Sequence, residues 1–230
     1  MMQRSAEVRW FFAGAMPPAM REWFLPEGSP PALTRTDEYL AFPTANVGVK
    51  FRQGNLEIKS LIEHCGVHRW GSIAGRVQTW VKWADLAPEV AALRRRVIRQ
   101  RSLVVAVTKA RSLRRFSLDH GLHEMPADTT RFPADGCNVE LTEIRVGRAR
   151  HWTFGFEALA RGHPTRITDI LHEAARQLFD DRAPPVTRDF AVSNSLSYPE
   201  WLLTLRIPPH WRAALSAAAP RRLAPGRKHR

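Results

Sequence analysis

Apolar and polar residues alternate with period two along much of the chain, the signature of strands with one face buried in a core. In Val47–Arg52, the apolar Val47, Val49 and Phe51 face one way and Lys50 and Arg52 the other. Gln53–Gly54–Asn55 is a turn signal, and Leu56–Lys59 resumes the alternation with Glu57 and Lys59 on the polar side. These segments predict a β-hairpin. Arg76–Trp83 repeats the pattern, Val77, Val81 and Trp83 opposing Arg76, Gln78 and Lys82. Near the start, Val8, Trp10 and Phe12 oppose Glu7 and Arg9. Leu103–Thr108 is an apolar, β-branched run leading into Lys109–Ala110–Arg111, and a separate strand is expected over Leu113–Leu118. Asn138–Val146 and Trp152–Leu159 form a late hairpin around Gly147–Arg148, with Phe154 and Phe156 on one face and Thr153, Gly155 and Glu157 on the other. About eight short antiparallel strands result, the arithmetic of a sandwich or a barrel.

Helical spacing is rarer. Pro88 can open a helix to about Gln100 with Val90, Leu93, Val97 and Ile98 as its apolar stripe. Thr165–Phe179 carries Ile167, Ile170, Leu171, Ala174, Ala175 and Leu178 at helical intervals. A short final helix is expected over Pro208–Ala218, and Gly14–Pro31, with five prolines, reads as a surface loop. The expected organisation is one domain over residues 1–183, an extension packed on it over 184–220, and a basic disordered tail over 221–230. Of the tryptophans, Trp80 is expected on the polar side of its strand, and Trp10, Trp83 and Trp152 in the core.

Charge changes the picture. The 230 residues carry 35 basic and 22 acidic side chains, a net +13, which suits a polyanionic partner. Thirty of the basic residues are Arg and only five are Lys, and four of those five, Lys50, Lys59, Lys82 and Lys109, fall on polar strand faces. With Arg9, Arg52, Arg76 and Arg111 they make one face strongly cationic, and neighbouring like charges repel unless an anion sits between them. If the sheet closes with polar faces inward, those cations line a lumen shaped for a chain of phosphates. Lys59 either joins that lining or pairs with Glu57 or with an acid on an adjacent strand.

Other chemistry is thin. No apolar run is long enough to cross a membrane, the start lacks the apolar core of a secretory signal, and Cys65 and Cys137 make no disulfide framework, so a cytoplasmic protein is expected. His64–Cys65–x–x–His68, expected in a loop, lacks the second half of a zinc pattern, and Asp119–His120–x–x–His123–Glu124 reads as a polar turn. There is no phosphate-binding Gly-x-x-x-x-Gly-Lys-Ser/Thr loop and no Gly-x-Ser-x-Gly elbow. The run from Arg94 to Arg115, nine Arg or Lys without an acid, makes with the C-terminal tail a phosphate-backbone footprint, so nucleic-acid binding is the rival reading.

The succession of motifs resembles the CYTH domain, or triphosphate tunnel metalloenzymes, which include thiamine triphosphatases, inorganic tripolyphosphatases, class IV adenylate cyclases and RNA triphosphatases. Where members open with Glu-x-Glu-x-Lys, this chain has Ser5-x-Glu7-x-Arg9 before Trp10–Phe11–Phe12. Tyr39–Leu40, Val49–Lys50–Phe51–Arg52, Leu56–Glu57–Ile58–Lys59, Lys109–Ala110–Arg111, Val139–Glu140–Leu141–Thr142–Glu143 and Gly155–Phe156–Glu157 follow in the family's order, over residues 3 to 180. The resemblance implies an α+β fold, an antiparallel closed β-barrel, or tunnel, with flanking helices. It implies substrate contacts from Arg9, Lys50, Arg52, Lys59, Lys82, Lys109 and Arg111. It also implies a divalent ion, Mg²⁺ or Mn²⁺, on Glu7, Glu157 and one of Glu140 or Glu143, with Glu7 and Glu157 as the catalytic acids. The chain departs from the pattern at Ser5 and Gly155, which stand where carboxylates are expected. The basic side is better kept than the acidic side, so binding of a triphosphate or polyphosphate is a safer expectation than its hydrolysis. A relative that binds without turnover is the alternative.

Overall fold

The computed structural model describes residues 2–205 apart from 86, 101–103, 128, 130–133 and 162–163. The expected Pro208–Ala218 helix, the 221–230 tail, Leu103 and Arg101 lie outside the described residues. Among the described residues there are nine strands: β1 (Met2–Ala13), β2 (Leu33–Leu40), β3 (Val47–Arg52), β4 (Asn55–Trp70), β5 (Ile73–Asp85), β6 (Val104–Leu118), β7 (Leu122–Glu124), β8 (Asp135–Val146) and β9 (Ala149–Ala160). They hydrogen-bond, all antiparallel, in the order β2-β3-β4-β5-β1-β9-β8-β6, and β6 pairs back onto β2, so eight strands close a barrel with β7 as an extra strand on β6. Four helices flank it: α1 (Pro18–Phe24), α2 (Pro88–Arg99), α3 (Ile167–Asp181) and α4 (Tyr198–Thr204).

The β3–β4 hairpin has the expected position and a two-residue turn. Arg52 pairs with Asn55, and Gln53 and Gly54 both have positive φ, as a tight hairpin matched to strand twist requires. β4 runs far beyond Lys59. Register shifts at Ile62 and Cys65 insert one extra residue each, so the alternation is broken twice and the stretch His64–His68, expected as a loop, is strand. The runs ending at Arg111 and starting at Leu113 are one strand, β6. β2 escapes a periodicity reading because both its rows are polar: Arg35 and Asp37 on one side, Thr34, Thr36 and Glu38 on the other. Its outer row finds partners anyway, Thr36 with Thr108 and Glu38 with Arg94 of α2.

The main core lies outside the barrel. All six apolar residues expected on α3 are buried there against Val8, Trp10, Phe154 and Phe156. The proline-rich segment read as a loop contains α1, which adds Met20, Trp23 and Phe24 to that core. On α2 only part of the expected stripe packs: Val90 is buried, whereas Leu93 is exposed. Trp10 and Trp152 are core residues, but Trp83 is exposed. A second, smaller cluster fills one end of the barrel interior, where Phe11, Tyr39, Val107 and Ile144 meet Trp201 of α4. Phe11 and Trp201 stack with centroids 4.8 Å apart. The chain between α3 and α4 is stitched to the barrel by a bridge between Ser195 and Trp10 and by Arg76, which donates to Ser195 O and to Glu200. No helix among the described residues is long and apolar enough to cross a membrane.

Trp10 crosses the β5 backbone at Gly75, where an added Cβ would stand 2.5 Å from both Trp10 Cζ2 and Val8 Cγ2. Gly75→Ala is therefore expected to destabilise the fold by about 1–3 kcal/mol through overpacking. Thermal denaturation should register this as a drop of several degrees, at roughly 2–4 °C per kcal/mol, with sheet content by circular dichroism unchanged.

Candidate functional site

The inward rows of all eight barrel strands converge on one cavity of about 310 Å³. β2 contributes Arg35 and Tyr39, β3 Lys50 and Arg52, β4 Glu57 and Lys59, β5 Lys82, β1 Glu7 and Arg9, β9 Glu157, β8 Asn138 and Glu140, and β6 Lys109 and Arg111. All seven cations expected from the sequence line it, and so do Glu7, Glu157 and Glu140. Arg35 and Tyr198 line it as well without having been singled out, together with Tyr39 of the Tyr39–Leu40 position; Arg35 sits on the strand whose polarity hid it. Tyr198 and Pro199 close one end, Pro199 seating against Gly48, where an added Cβ would be 3.1 Å from its ring. At the other end the lining is Gln3, Leu159 and the exposed Arg161.

Asp37 organises one wall. Fully buried, it takes Lys109 at 3.1 Å, Arg35 at 3.2 Å, Arg52 at 3.3 Å and Lys50 at 3.4 Å. Burial alone would raise its carboxyl, but these four cations outweigh it and hold the group well below the usual carboxylate range. Glu57 takes the far sides of Arg52 (3.0 Å) and Lys50 (3.2 Å), and is likewise held down against burial. Lys50 itself is lowered to about 8, first by burial and then by Arg52 beside it. Lys109, buried more deeply, is pushed well below the ordinary lysine value by the same loss of water; its ammonium donates to Tyr39 Oη at 2.7 Å and sits 3.7 Å from the Tyr198 ring.

The opposite wall is held by Glu140, which binds Arg9 at 2.9 Å and Arg111 at 3.9 Å. Those cations overcome burial and keep it below the usual range, and Glu140 in turn holds Arg9 above the ordinary arginine value against burial. Glu143 points the other way: on the outer face it pairs with Arg21 of α1 and with Arg150. Between the two acids the sequence left open, only Glu140 is inside, and it is committed to arginines. Lys59 pairs with Glu7, not with Glu57, and lies 4.8 Å over the Trp80 ring, which places Trp80 on the inner side. Burial raises the Glu7 carboxyl, but Lys59, the Ser5 hydroxyl (2.7 Å) and Arg9 more than cancel that and hold it low.

Glu7 and Glu157 stand in direct register on β1 and β9, and Asn138 is opposite Glu157 on β8. Asn138 Oδ1 is buried without a hydrogen bond. Two carboxylates and an amide oxygen suit one hydrated Mg²⁺ or Mn²⁺ ion and not two. No three His, Cys, Asp or Glu side chains gather in metal-holding proximity among the described residues. Gly155 has a local cause: an added Cβ would lie 2.9 Å from Val8 O and 3.1 Å from Arg9 Cβ and Cγ. The Arg9 side chain thus fills the room that a carboxylate at 155 would need. Arg76, grouped with the cationic face from sequence, is spent on Ser195 and Glu200 at the α4 end.

The basic run does not form one surface. Arg94 is tied to Glu38 and Arg114 to Glu124, while Lys109 and Arg111 point into the barrel, leaving Arg95, Arg96 and Arg99 exposed on α2. His64 and His68 bond Gln78 and the Cys65 carbonyl respectively, and His123 and Glu124 lie in β7.

No family model matches the sequence, and no curated protein matches it. Among solved structures, the chain is similar to the PH1819 protein from Pyrococcus horikoshii, with 13% identity and a TM-score of 0.42 over 86% of this chain and 98% of that one. It is also similar to a candidate adenylate cyclase from Bacillus halodurans, with 10% identity and a TM-score of 0.36 over 76% of this chain and 91% of that one. Neither likeness is close enough to carry a function from those proteins to this one.

A carboxyl held low in the folded state lends stability that is complete above its unfolded value and lost as pH falls below it. The unfolding temperature is therefore expected to decline as pH drops below about 4, where unfolded carboxylates take up protons. Asp37→Asn should flatten that acid limb. At pH 7 it should destabilise by about 3–5 kcal/mol, since it removes the charge shared by four cations and, among the described residues, leaves only Lys50 and Arg52 paired with another acid, Glu57. Calorimetry of both proteins from pH 7 to pH 2 measures the difference.

Proposed function

We propose that this protein binds a triphosphate or polyphosphate chain inside its barrel. The observation that carries the reading is the convergence of Arg9, Lys50, Arg52, Lys59, Lys82, Lys109 and Arg111, from five strands, on a single cavity closed at one end by α4. Like charges at that spacing are stable together only with anions between them, and the internal carboxylates are too few to match them all. An eight-stranded barrel interior holds one small ligand, and about 310 Å³ is at the small end of ligand sites. Guanidinium forks and ammonium groups are the donors that phosphate oxygens bind most strongly. The division of the Arg94–Arg115 run between barrel interior and surface ion pairs weighs against a continuous nucleic-acid footprint.

Hydrolysis of the chain is the finer reading, and Glu7 and Glu157 are the acids it would use. A Mg²⁺ or Mn²⁺ ion held by Glu7, Glu157 and Asn138 would supply charge neutralisation on the phosphate oxygens. Lys50, Arg52, Lys109 and Arg111 would hold the non-reacting phosphates, and Lys59 would exchange Glu7 for substrate. Phosphate release from tripolyphosphate that depends on the metal and disappears in Glu157→Ala supports turnover. Saturable binding without release supports a binding protein only.

Titration calorimetry with tripolyphosphate tests the reading itself. Wild type should bind saturably, and Arg111→Ala should weaken binding by about tenfold or more, the worth of a hydrogen bond to a charged group. Absence of saturable binding by the folded wild type would sink the proposal. Because Lys50 loses its proton at about 8 in the free protein, binding above that pH must take one up. Affinity should therefore fall as pH rises past 8, and Lys50→Arg should shift that fall upward.

A further inference from the structure

Buried polar atoms are almost always hydrogen-bonded, and each one left unpartnered is costly. Among the described residues four such atoms share one place: Arg9 Nη1, Arg111 Nε, Asn138 Oδ1 and Tyr198 Oη are buried without a hydrogen-bond partner, and all four side chains line the cavity, whereas Asn55 and Trp80, which also bear such atoms, do not. Three of the four carry donor protons. Arg9 is 7% exposed, its Nη2 already given to Glu140, and Arg111 turns Nη1 to the same carboxylate. Glu140 therefore fixes both guanidinium groups from one side and leaves an N–H of each unspent.

The third donor comes from outside the barrel strands. Tyr198 opens α4, and its ring stacks on Tyr39 at 5.7 Å and lies 5.2 Å from the Arg9 guanidinium carbon. Whereas Tyr39 Oη accepts from Lys109, Tyr198 Oη makes no bond at all. The helix that carries it is held firmly. Ser197 and Glu200 form a reciprocal cap, Arg76 grips Glu200 at 3.1 Å, and Pro199 packs on Gly48. The hydroxyl is thus pre-positioned, not swung in by ligand.

We propose that Arg9 Nη1, Arg111 Nε and Tyr198 Oη form a subsite for one phosphoryl group at the α4 end of the cavity, so that the C-terminal segment supplies a ligand contact as well as a wall. An oxyanion with three acceptor oxygens satisfies all three donors at once, which no cation or neutral apolar group does. The donors belong to the protein, so this subsite works without a metal ion. The inference rests on the reading of the cavity as a phosphate site, and adds to it a residue and a location.

The test is calorimetric titration of tripolyphosphate, and separately of inorganic phosphate, into wild type and Tyr198→Phe, in EDTA and again with Mg²⁺ restored. Tyr198→Phe should weaken tripolyphosphate binding by about tenfold, without lowering the ligand-free unfolding temperature, because the hydroxyl it removes has no partner in the folded protein. Inorganic phosphate should show the same loss if the subsite takes a single phosphoryl group. Wild type that binds while Tyr198→Phe binds equally tightly overturns the subsite and leaves the polyphosphate reading standing. Wild type that binds only when metal is restored overturns the metal-free subsite. Wild type that binds under neither condition overturns both. A lower unfolding temperature in Tyr198→Phe would assign the hydroxyl a structural role and also overturn it.

Discussion

A carboxylate with four cations around it is the constraint on which the interior of this barrel depends. Asp37 is fully buried, and Lys109, Arg35, Arg52 and Lys50 all lie within 3.4 Å of it. Remove that charge and the four cations repel one another in a medium that screens poorly. Glu57, Glu7 and Glu140 act in the same way around the ring, each tied to one or two bases. Buried ion pairs seldom add net stability over an apolar core, because desolvation offsets much of their attraction. Here they hold a cationic surface in shape. Among the described residues nine bases line the cavity against four acids, with Asp37 behind them, and the surplus is what an anion would meet.

Where one face of a strand is apolar, the sequence discloses the strand and its inner row together. β1, β3 and β9 are of this kind, and Glu7, Arg9, Lys50, Arg52 and Glu157 are legible on them without coordinates. α3 is equally plain, since its six apolar positions all meet the same side of the sheet. β2 gives no such signal, because neither of its rows is apolar, and with it the central acid Asp37 is lost to view. β4 is hidden for another reason: two inserted residues reset its alternation. The α1 helix lies in a segment whose prolines suggest a loop, yet Pro17 and Pro18 precede or open the helix, where a missing N–H is harmless. Tyr198 could not be found by pattern at all. Its place depends on a capped turn of α4 far along the chain meeting strands near the start.

The basic and acidic side chains of the cavity are unequal in number. The basic row is whole, while Ser5 and Gly155 occupy positions where the family resemblance leads one to expect acids. Packing links Gly155 to its neighbour: the Arg9 side chain lies across Gly155, and Glu140 faces arginine. The glycine at 155 and the pairing of Glu140 thus share one neighbour, Arg9.

The strand order also governs how the chain must assemble. β1 is flanked by β5 and β9, with Ala6 opposite both Thr79 and Ala158, and β2 finds its second neighbour only in β6. Assembly through such distant pairings is slow, since loop closure precedes any gain from contact. Of the nine strands described, β1 is made before the others and gains its second neighbour only with β9, which is made after them. Until Ala160 has emerged, the nascent sheet is an open ribbon with bare hydrogen-bonding borders, the form most prone to associate with other chains.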